Sequence, residues 1–274
     1  MCVIPFMTLQ PRNLRLISVI LPTYNEVENI ARLVQEVHAV ISQPHEIIVV
    51  DDNSPDGTSA AITSLVATGS IPGLRLETRT ADRGLTKSIQ RGIDLAEGDT
   101  IVWLDCDFSM PPGMIPQLLT KIEQGYDIAV GSRFVPGGKY KESRQWFGGE
   151  ESRAAILLSR LLNWFLRHAL FASFTDYTSG FIAIRREVLE RIRLRGDYGE
   201  YFIDLIFRSI LLKYSFVEIP YVNVPRIAGE SKTGSSFDHL LRKGLPYLWT
   251  IIRMWMLRVQ NAFGGLVEDP PSSR

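Results

Sequence analysis

The chain of 274 residues is 45% hydrophobic and 22% charged, with 30 basic and 30 acidic side chains. This balance is typical of a globular protein with a large core, and it excludes the overall basicity expected of a nucleic-acid-binding domain. The two cysteines, Cys2 and Cys106, and four scattered histidines form neither a disulfide framework nor a zinc-binding spacing, which favours a reducing, cytosol-facing location.

Strands and helices are predicted to alternate through the first half of the chain. Residues 1–15 lack a basic n-region and a small-residue cleavage site, so we expect a leader and no signal peptide. Apolar, β-branched runs predict strands over 17–22, 46–52, 74–80 and 100–107, with helices beginning at Asn25, Thr58 and near Thr86. This alternation predicts a parallel sheet with right-handed crossovers.

The second half is predicted to be less regular. Its pattern indicates strands over 126–134, 181–186 and 216–224, and helices over 153–172 and from Glu187. No segment reaches the roughly eighteen uninterrupted apolar residues of a membrane-spanning helix. Residues 240–259 come closest, but Lys243, Arg253 and Arg258 interrupt them, so we expect an interfacial or packed helix there.

Polar residues follow four of the predicted strands or lie in the loops after them, at 22–26, 51–54, 82–85 and 105–109. Ligands of parallel sheets bind beyond the carboxyl ends of the strands, so these segments are the candidate site. Asp105 and Asp107 are the sharpest feature, because two carboxylates spaced i and i+2 can reach one hard cation while a diphosphate fills its remaining positions. Taken alone, such acids serve about as often as helix caps or solvated groups.

Asp51 and Asp52 form a second candidate pair, because acids after a second strand can hydrogen-bond a ribose or a nucleobase. Turn chemistry is the competing explanation. Asn53, Pro55 and Gly57 are residues that a tight turn requires, and for Pro55 and Gly57 this explanation is favoured.

Six strings in this order, LPTYNE, VVDDNSPDGT, LDCDFSMPP, GSRF, DYTSGF and RIAGESK, resemble a known family. They are similar to the polyprenol-phosphate sugar transferases, the dolichol-phosphate mannose synthase group of the inverting family 2 glycosyltransferases. The resemblance spans about residues 17–234. It implies an α/β fold of GT-A type, Rossmann-like, with a mostly parallel central sheet flanked by helices and with amphipathic interfacial helices at the C-terminal end. A lone Asp-x-Asp would carry little weight, whereas six ordered motifs are specific.

The resemblance also implies roles for individual residues. Donor binding is expected at Pro22, Tyr24, Glu26, Asp51, Asp52, Asp105 and Cys106. Binding of Mg²⁺ or Mn²⁺ is expected at Asp105, Asp107 and Ser109. Phosphate binding on the acceptor side is expected at Arg133, Arg153, Thr178, Ser179, Arg226 and Lys232, and Asp107 and Arg133 are the expected catalytic residues. An arginine fork matches a phosphate bidentately and a lysine supplies a compact charge, which agrees with this distribution.

The implied reaction moves a sugar, first of all mannose from GDP-mannose, to a polyprenyl or dolichyl phosphate. Glucose from UDP-glucose is the next candidate. A phosphate oxygen is anionic at neutral pH, so its attack on the anomeric carbon needs little help from a general base. A single displacement inverts the anomeric configuration, and Asp107 and Glu200 are only weak candidates for a base.

The family pattern is broken after Phe181, where relatives carry an arginine and this chain has Ile182; Arg185 or Arg186 is the candidate replacement. The predicted organisation is a leader at 1–15, a catalytic domain at 16–235, an amphipathic membrane-proximal helix at 236–263 and a disordered tail at 264–274. Trp146, Trp164 and Phe165 are expected to extend the apolar face of that helix. A helix packed on the core is the alternative.

We therefore expect an enzyme at the cytosolic face of a membrane, bound peripherally or through a separate anchoring subunit, with no nucleic-acid partner. A hydroxyl acceptor, such as a lipid or a polysaccharide, is the first alternative, but it would need a base. A non-catalytic nucleotide-sugar-binding subunit is the second. A Rossmann dehydrogenase is excluded, because Pro-Thr-Tyr-Asn-Glu stands where the glycine-rich phosphate turn would be.

Overall fold

A computed structural model describes residues 9–140, 153–224, 237–265 and 267–269, and the side chains of 153–155 and 237–245 are not part of the description. Seven strands form one sheet: β1 Ile17–Thr23, β2 His45–Asp51, β3 Leu74–Thr78, β4 Thr100–Trp103, β5 Ile128–Ser132, β6 Ile182–Arg185 and β7 Phe216–Pro220. Their spatial order is β3-β2-β1-β4-β6-β5-β7. Only β6 runs antiparallel to its neighbours, so the predicted mostly parallel GT-A-like sheet is confirmed.

Eight helices flank the sheet within the described residues: α1 Ile30–Val40, α2 Thr58–Ala67, α3 Leu85–Leu95, α4 Ile115–Glu123, α5 Arg153–Ala169, α6 Arg186–Arg191, α7 Glu200–Leu211 and α8 Phe237–Ala262. Side chains of alternate strand residues feed two cores, one on each face of the sheet. Val19 and Val49 belong to the core against α1 and α4, whereas Ile20 and Ile48 belong to the core against α3 and α7. This two-sided burial explains why the strands are almost continuously apolar.

The first helix begins five residues later than predicted. Asn25 has φ of 55°, a left-handed conformation that no α-helix continues, and its N–H donates to Ser54 Oγ at 2.9 Å. Asn29 and Ile30 then donate to the Glu26 carbonyl, which starts α1 at Ile30. The predicted helix start at Asn25 was wrong, and the residues concerned form a loop at the end of β1.

Two helices, α4 and α7, were not predicted, and α7 organises the C-terminal part of the chain. Its Arg208 is fully buried and donates to the Val267 carbonyl at 2.8 Å and to Asp269 at 2.8 Å. Asp204, also fully buried, pairs with Arg253 of α8 at 2.7 Å. Residues 267–269 are therefore ordered against α7, which corrects the prediction that the whole of 264–274 is a disordered tail.

Helix α8 covers most of the predicted membrane-proximal segment and contains Pro246. Among the described residues, no helix combines the length and the apolar character needed to cross a membrane. The side chains exposed on α8 include Leu248, Trp249, Ile252, Trp255, Met256 and Val259.

Candidate active site

A cavity of about 450 Å³ opens beyond the carboxyl ends of β1, β2 and β4. It is lined by Pro22, Thr23, Tyr24, Glu26, Asp52, Arg83, Gly84, Leu85, Ser88, Asp105, Cys106, Asp107, Asp197 and Tyr198. All four polar segments that the sequence analysis selected contribute to this lining. They meet because β1 and β4 are adjacent while their connections leave in opposite directions, which opens a crevice at the strand ends. We call this space the donor cavity, after the donor binding that the sequence analysis predicts for part of its lining.

Asp105 and Asp107 lie just after β4, on one side of the donor cavity. Strand β4 ends at Trp103, so the acids belong to a loop and not to the predicted strand. Asp107 is 4% exposed, and its Oδ1 accepts the Ser109 N–H at 2.9 Å. Phe108 between them has φ of 64°. This tight turn holds the Asp107 carboxylate in place while both acids keep access to the cavity.

Cys106 lies between the two acids and joins β4 to β1. It is buried, and its Sγ contacts the Pro22 carbonyl at 3.4 Å. Both residues line the donor cavity, and this link fixes the end of β1 against the turn that carries Asp105 and Asp107.

The donor set fits Mg²⁺ or Mn²⁺ bound together with a diphosphate. Within the described part of the chain, no group of three or more His, Cys, Asp or Glu side chains assembles around a possible ion. The predicted ligands Asp105 and Asp107 would therefore supply two carboxylates. These hard cations are commonly held by one or two carboxylates, with substrate phosphates and water as the other ligands. The predicted third ligand, Ser109, does not line the cavity, and its carbonyl accepts the Val224 N–H and the Asn223 amide.

Pro22, Tyr24 and Glu26 lie at or just after the end of β1, and all three line the donor cavity. Glu26 is 9% exposed, and its N–H donates to Thr58 Oγ1 at 3.0 Å. Its carboxylate accepts the Asn29 amide at 3.1 Å. The loop after β1 is therefore held by the start of α2 and forms a fixed wall.

Asp51 is the last residue of β2 and Asp52 follows it, but the two side chains lie in different environments. Asp52 lines the cavity, and its carboxylate binds Arg79, Ser88 and the Gly84 N–H at 2.7, 2.6 and 2.7 Å. Asp51 is fully buried and lies outside the lining. Its oxygens accept from Thr23, Ser54 and Ser59. This acid joins β1, β2 and α2 behind the cavity wall, so the structure does not place the predicted donor-binding residue Asp51 in the lining.

Arg133 lies on the other half of the sheet, after β5, and does not line the donor cavity. Its Nε and Nη2 donate to the two oxygens of Asp176 at 2.9 and 2.7 Å, and Nη2 also donates to Thr178 Oγ1 at 2.9 Å. The Asp176 carboxylate is fully buried, and its charge raises the pKa of Arg133 against the opposing effect of burial. The guanidinium also stacks on Tyr140, 4.9 Å from the ring centre. We call these residues the Arg133–Asp176 cluster.

Thr178 and Ser179, two predicted phosphate-binding residues, differ in position. Thr178 is half-buried, and its Oγ1 accepts from Arg133 and from Asn163 of α5 at 2.8 Å. Ser179 is 3% exposed, and its hydroxyl donates to the Gly131 carbonyl in a short bond. Thr178 thus belongs to the Arg133–Asp176 cluster, whereas Ser179 links the turn to β5.

Three predicted phosphate-binding side chains are not covered by the structure. Arg226 and Lys232 lie outside the described residues. Arg153 begins α5, but its side chain is not described.

The proposed replacements for the missing arginine, Arg185 and Arg186, are at the wrong end of the sheet. Because β6 is antiparallel to β4, Ile182 pairs with Trp103 near the cavity, and Arg185 pairs with Thr100 at the far end. Arg185 contacts Asp127 and Glu187, and Arg186 donates to the carbonyls of 96 and 98. Neither arginine reaches the donor cavity, so this expectation was wrong.

Tyr221 is influenced by charged residues of both the donor cavity and the Arg133–Asp176 cluster. Burial raises the pKa of its hydroxyl, the charges of Asp176 and Asp105 raise it further, and the charge of Arg133 opposes this. The residue follows β7 and packs edge-on against Phe181 with ring centres 5.7 Å apart. The pKa of Tyr221 therefore responds to charges of both the donor cavity and the Arg133–Asp176 cluster.

Seven of the lining residues were not assigned a role from the sequence, among them Arg83, Ser88, Asp197 and Tyr198. Arg83 lies in the selected segment 82–85, but no motif marked it. Asp197 and Tyr198 precede α7, which the sequence analysis missed. Their N–H groups donate to Glu200 at 2.7 and 3.2 Å, so Glu200, a weak candidate for a base, is occupied in shaping the cavity wall.

Comparisons with known proteins agree with this arrangement. Residues 18–193 match the family described as Glycosyl transferase family 2. A dolichol-phosphate mannosyltransferase of Pyrococcus furiosus is 37% identical over 218 residues, covering 79% of this chain and 58% of that protein, so the chain spans less than two thirds of this relative. A polyprenol monophosphomannose synthase of Mycolicibacterium smegmatis is 39% identical over 224 residues, covering 80% of this chain and 81% of the relative. An undecaprenyl-phosphate mannosyltransferase of Micrococcus luteus is 32% identical over 249 residues, covering 85% and 96%.

Solved structures share the fold at lower identity. The glucosyl-3-phosphoglycerate synthase of Mycobacterium tuberculosis, crystallised with Mn²⁺, UDP and glucosyl-3-phosphoglycerate, superposes with a TM-score of 0.63. It is 20% identical, and the match covers 88% of this chain and 80% of that one. At this identity the likeness supports the fold alone.

Proposed function

The chain belongs to the family 2 glycosyltransferases, and we propose that it transfers mannose from GDP-mannose to a polyprenyl or dolichyl phosphate with inversion, in a reaction that depends on Mg²⁺ or Mn²⁺. Three relatives named as transferases or synthases of polyprenol-linked mannose support the sugar and the acceptor. The observation that carries the proposal is the donor cavity, in which Asp105 and Asp107 face the polar ends of β1 and β2.

The donor half of the mechanism follows from the lining of this cavity. Asp105 and Asp107 would hold a divalent cation, which when bound neutralises diphosphate charge and improves the leaving group. The ends of β1 and β2 hold the nucleoside against fixed walls, since Glu26 and Asp52 are already anchored by their neighbours. These preformed contacts orient the anomeric carbon before the acceptor arrives.

The acceptor half rests on the Arg133–Asp176 cluster. Within the described residues, the hydrogen bonds of Arg133 use Nε and Nη2, so Nη1 is the donor that remains for an acceptor phosphate. Asp176 and Thr178 hold the guanidinium plane in a fixed orientation. The acceptor oxygen attacks the anomeric carbon, the bond from that carbon to the diphosphate oxygen breaks, and no protein group needs to remove a proton.

A lipid acceptor requires contact with a membrane, and we propose that α5 and α8 provide it at the cytosolic face, directly or together with an anchoring subunit. Helix α5 exposes Leu157, Leu158, Leu161, Trp164 and Phe165. Helix α8 joins it where Trp255 Nε1 donates to the Ala169 carbonyl at 2.9 Å. Trp249 is 61% exposed on α8. Large apolar side chains on neighbouring helices, interspersed with arginines, are typical of an interfacial surface.

The reaction is tested with radiolabelled GDP- and UDP-sugars, polyprenyl phosphate, and added Mg²⁺, Mn²⁺ or chelator. We expect mannosyl lipid from GDP-mannose, formed only with metal, and a β-linked product from an α-linked donor. Product formed only on a hydroxyl acceptor, or no product with any donor, would refute the proposal.

The membrane contact is tested by sedimentation with vesicles that contain anionic lipid. We expect the double variant Trp249→Ser, Met256→Ser to lose vesicle binding and to keep its thermal stability, because both side chains are exposed on α8. Val66→Ser is the matched control, because Val66 is an exposed apolar residue on α2, at 40% exposure. Equal binding by the double variant and the control would contradict the assignment.

A further inference from the structure

The described lining of the donor cavity is acidic, and its one basic side chain has no hydrogen-bond or ion-pair partner among the described residues. The described lining residues include the acids Glu26, Asp52, Asp105, Asp107 and Asp197. Arg83 is the single arginine or lysine among them. The nearby acids are already engaged, since Asp52 pairs with Arg79 and Asp82 pairs with Lys87. Across the described part of the chain, Arg83 itself takes part in no hydrogen bond or ion pair.

The backbone around Arg83 is fixed although its side chain is free. Gly84 donates its N–H to Asp52 at 2.7 Å, and Arg79 donates to the Asp82 carbonyl in a short bond. Asp82 and Gly84 have φ of 57° and 138°, so the loop turns sharply on both sides of Arg83. An arginine presented by a fixed loop loses little entropy when it binds a ligand.

The strand order places Arg83 on the side of the donor cavity away from Asp105 and Asp107. Arg83 precedes Gly84, whose N–H donates to Asp52 after β2, whereas Asp105 and Asp107 follow β4, and the order β2-β1-β4 separates these strands by two spacings, about 10 Å. The Arg133–Asp176 cluster lies on the opposite side of β4, after β5. The sugar must point toward the acceptor side, so the nucleoside extends toward β3 and Arg83.

We propose that Arg83 reads the nucleobase of the donor and selects guanine by donating two hydrogen bonds to its O6 and N7. A guanidinium fork matches these two acceptors, and each good pair of this kind contributes about 1–3 kcal/mol of discrimination. Uracil has no such pair, because its N3–H donor lies between its two carbonyl oxygens, and adenine presents an N–H donor next to N7. This inference rests on the proposed function and names the residue that would set the base of the donor.

The test is calorimetric titration with GDP, 7-deaza-GDP, which lacks N7, and UDP, each in the presence of Mg²⁺. We expect wild type to bind GDP about 10-fold to 100-fold more tightly than Arg83→Met does, in line with the contribution of a bidentate pair. We expect 7-deaza-GDP to bind wild type more weakly than GDP does, and the two ligands to bind Arg83→Met alike. UDP affinity should change less than about twofold, since its base offers no fork.

Two further variants separate base reading from general attraction of charge. Arg83→Lys keeps the charge, and it should still bind GDP and 7-deaza-GDP with equal affinity. Arg91→Met removes an exposed arginine of α3 that pairs with Glu77 outside the donor cavity, and it should bind all three ligands as wild type does.

Equal losses of GDP and UDP affinity in Arg83→Met would overturn the inference, because they would indicate a phosphate contact. Equal binding of GDP and 7-deaza-GDP by wild type, or a preference for UDP, would overturn it too. The proposed reaction fails separately: a wild type that discriminates GDP from 7-deaza-GDP but forms no mannosyl lipid would refute the reaction and support the role of Arg83.

Discussion

The donor cavity and the Arg133–Asp176 cluster both lie at the carboxyl ends of strands, but they place their charged groups differently. In the donor cavity, Asp105 and Asp107 line open space. In the Arg133–Asp176 cluster, a carboxylate with no exposure pairs with the arginine inside the protein, and Thr178 accepts another N–H. Both regions present polar residues after a strand, yet among the described residues only those of the donor cavity line a space of about 450 Å³ that could hold a ligand. Access to open space therefore separates the two regions more clearly than polarity does.

Removing Asp176 should give the largest effect. Asp176→Ala leaves the guanidinium of Arg133 buried without its partner, and breaking a buried pair in this way lowers the free energy of unfolding by about 3–5 kcal/mol. Urea denaturation measures the loss. The double variant Arg133→Met, Asp176→Ala should recover part of it, since it removes both charges. A loss below about 1 kcal/mol would show that the pair is not structural.

Asp107→Asn should show the reverse profile, with little loss of stability and a large loss of activity. Asparagine keeps an oxygen for the Ser109 N–H, so the turn persists. It removes a charge from the metal-binding pair, and we expect kcat to fall on the order of 10²-fold to 10³-fold, as for other groups that stabilise a leaving-group charge. Transfer assays over a range of Mn²⁺ concentrations give kcat and the apparent metal affinity. Unchanged kinetics would remove Asp107 from the site.

Asp51→Asn tests which acid of the β2 pair touches the donor. Asp51 accepts four hydrogen bonds from side chains and backbone behind the cavity wall, and asparagine turns one acceptor into a donor that meets Ser54 or Ser59. We expect the free energy of unfolding to fall by about 1–3 kcal/mol, with the KM for the sugar nucleotide within twofold of wild type. Asp52→Asn is the paired variant, and it should raise that KM. A higher KM for Asp51→Asn in a stable protein would show that Asp51 contacts the sugar nucleotide directly.

The first half of the chain could be predicted from the sequence because the patterns that indicate its strands and strand ends are local. Each buried strand is a continuous apolar run, and each ends in polar residues whose positions a parallel sheet brings together, as with Pro22, Asp52 and Asp107. The helix start at Asn25 failed because a left-handed residue is not visible in a pattern of polarity. No local signal separates Asp51 from Asp52, since their difference depends on which side of the strand end faces the cavity.

The second half of the chain could not be predicted as well, because its structure depends on contacts between residues distant in sequence. Arg185 was misplaced because nothing in the string FIAIRR shows that β6 runs antiparallel, and that direction alone moves the arginine to the far end of the sheet. Helix α7 was missed because residues 200–209 are all buried, charged side chains included, so the segment lacks the solvent-exposed polar face that marks a surface helix. Residues 267–269 look disordered in composition but are held by the buried Arg208.

The smallest effect concerns pH, and it also separates the Arg133–Asp176 cluster from the donor cavity. Glu218 of β7 supports the Arg133–Asp176 cluster, because its carboxylate accepts the N–H groups of Thr175 and Asp176 at 2.8 and 3.0 Å. Burial raises the pKa of Glu218 above its ordinary value of 4.5, the hydrogen bonds oppose this, and the charge of Asp176 raises it further. Between the ordinary pKa and the raised pKa, the folded protein binds more protons than the unfolded chain does, so this residue makes stability fall as pH rises through that window.

Glu218→Gln removes that titration. Its free energy of unfolding, relative to wild type, should therefore be lowest below pH 4.5 and should improve as pH rises through the window, although glutamine loses one acceptor for the Thr175 N–H. Urea denaturation of both proteins at a series of pH values from 4 to 7 measures the difference. Glu190→Gln, on α6, serves as the control for loss of a carboxylate outside the cluster. A difference between Glu218→Gln and wild type that stays constant with pH would mean that Glu218 keeps its ordinary pKa, and that the cluster holds its charges without strain from burial.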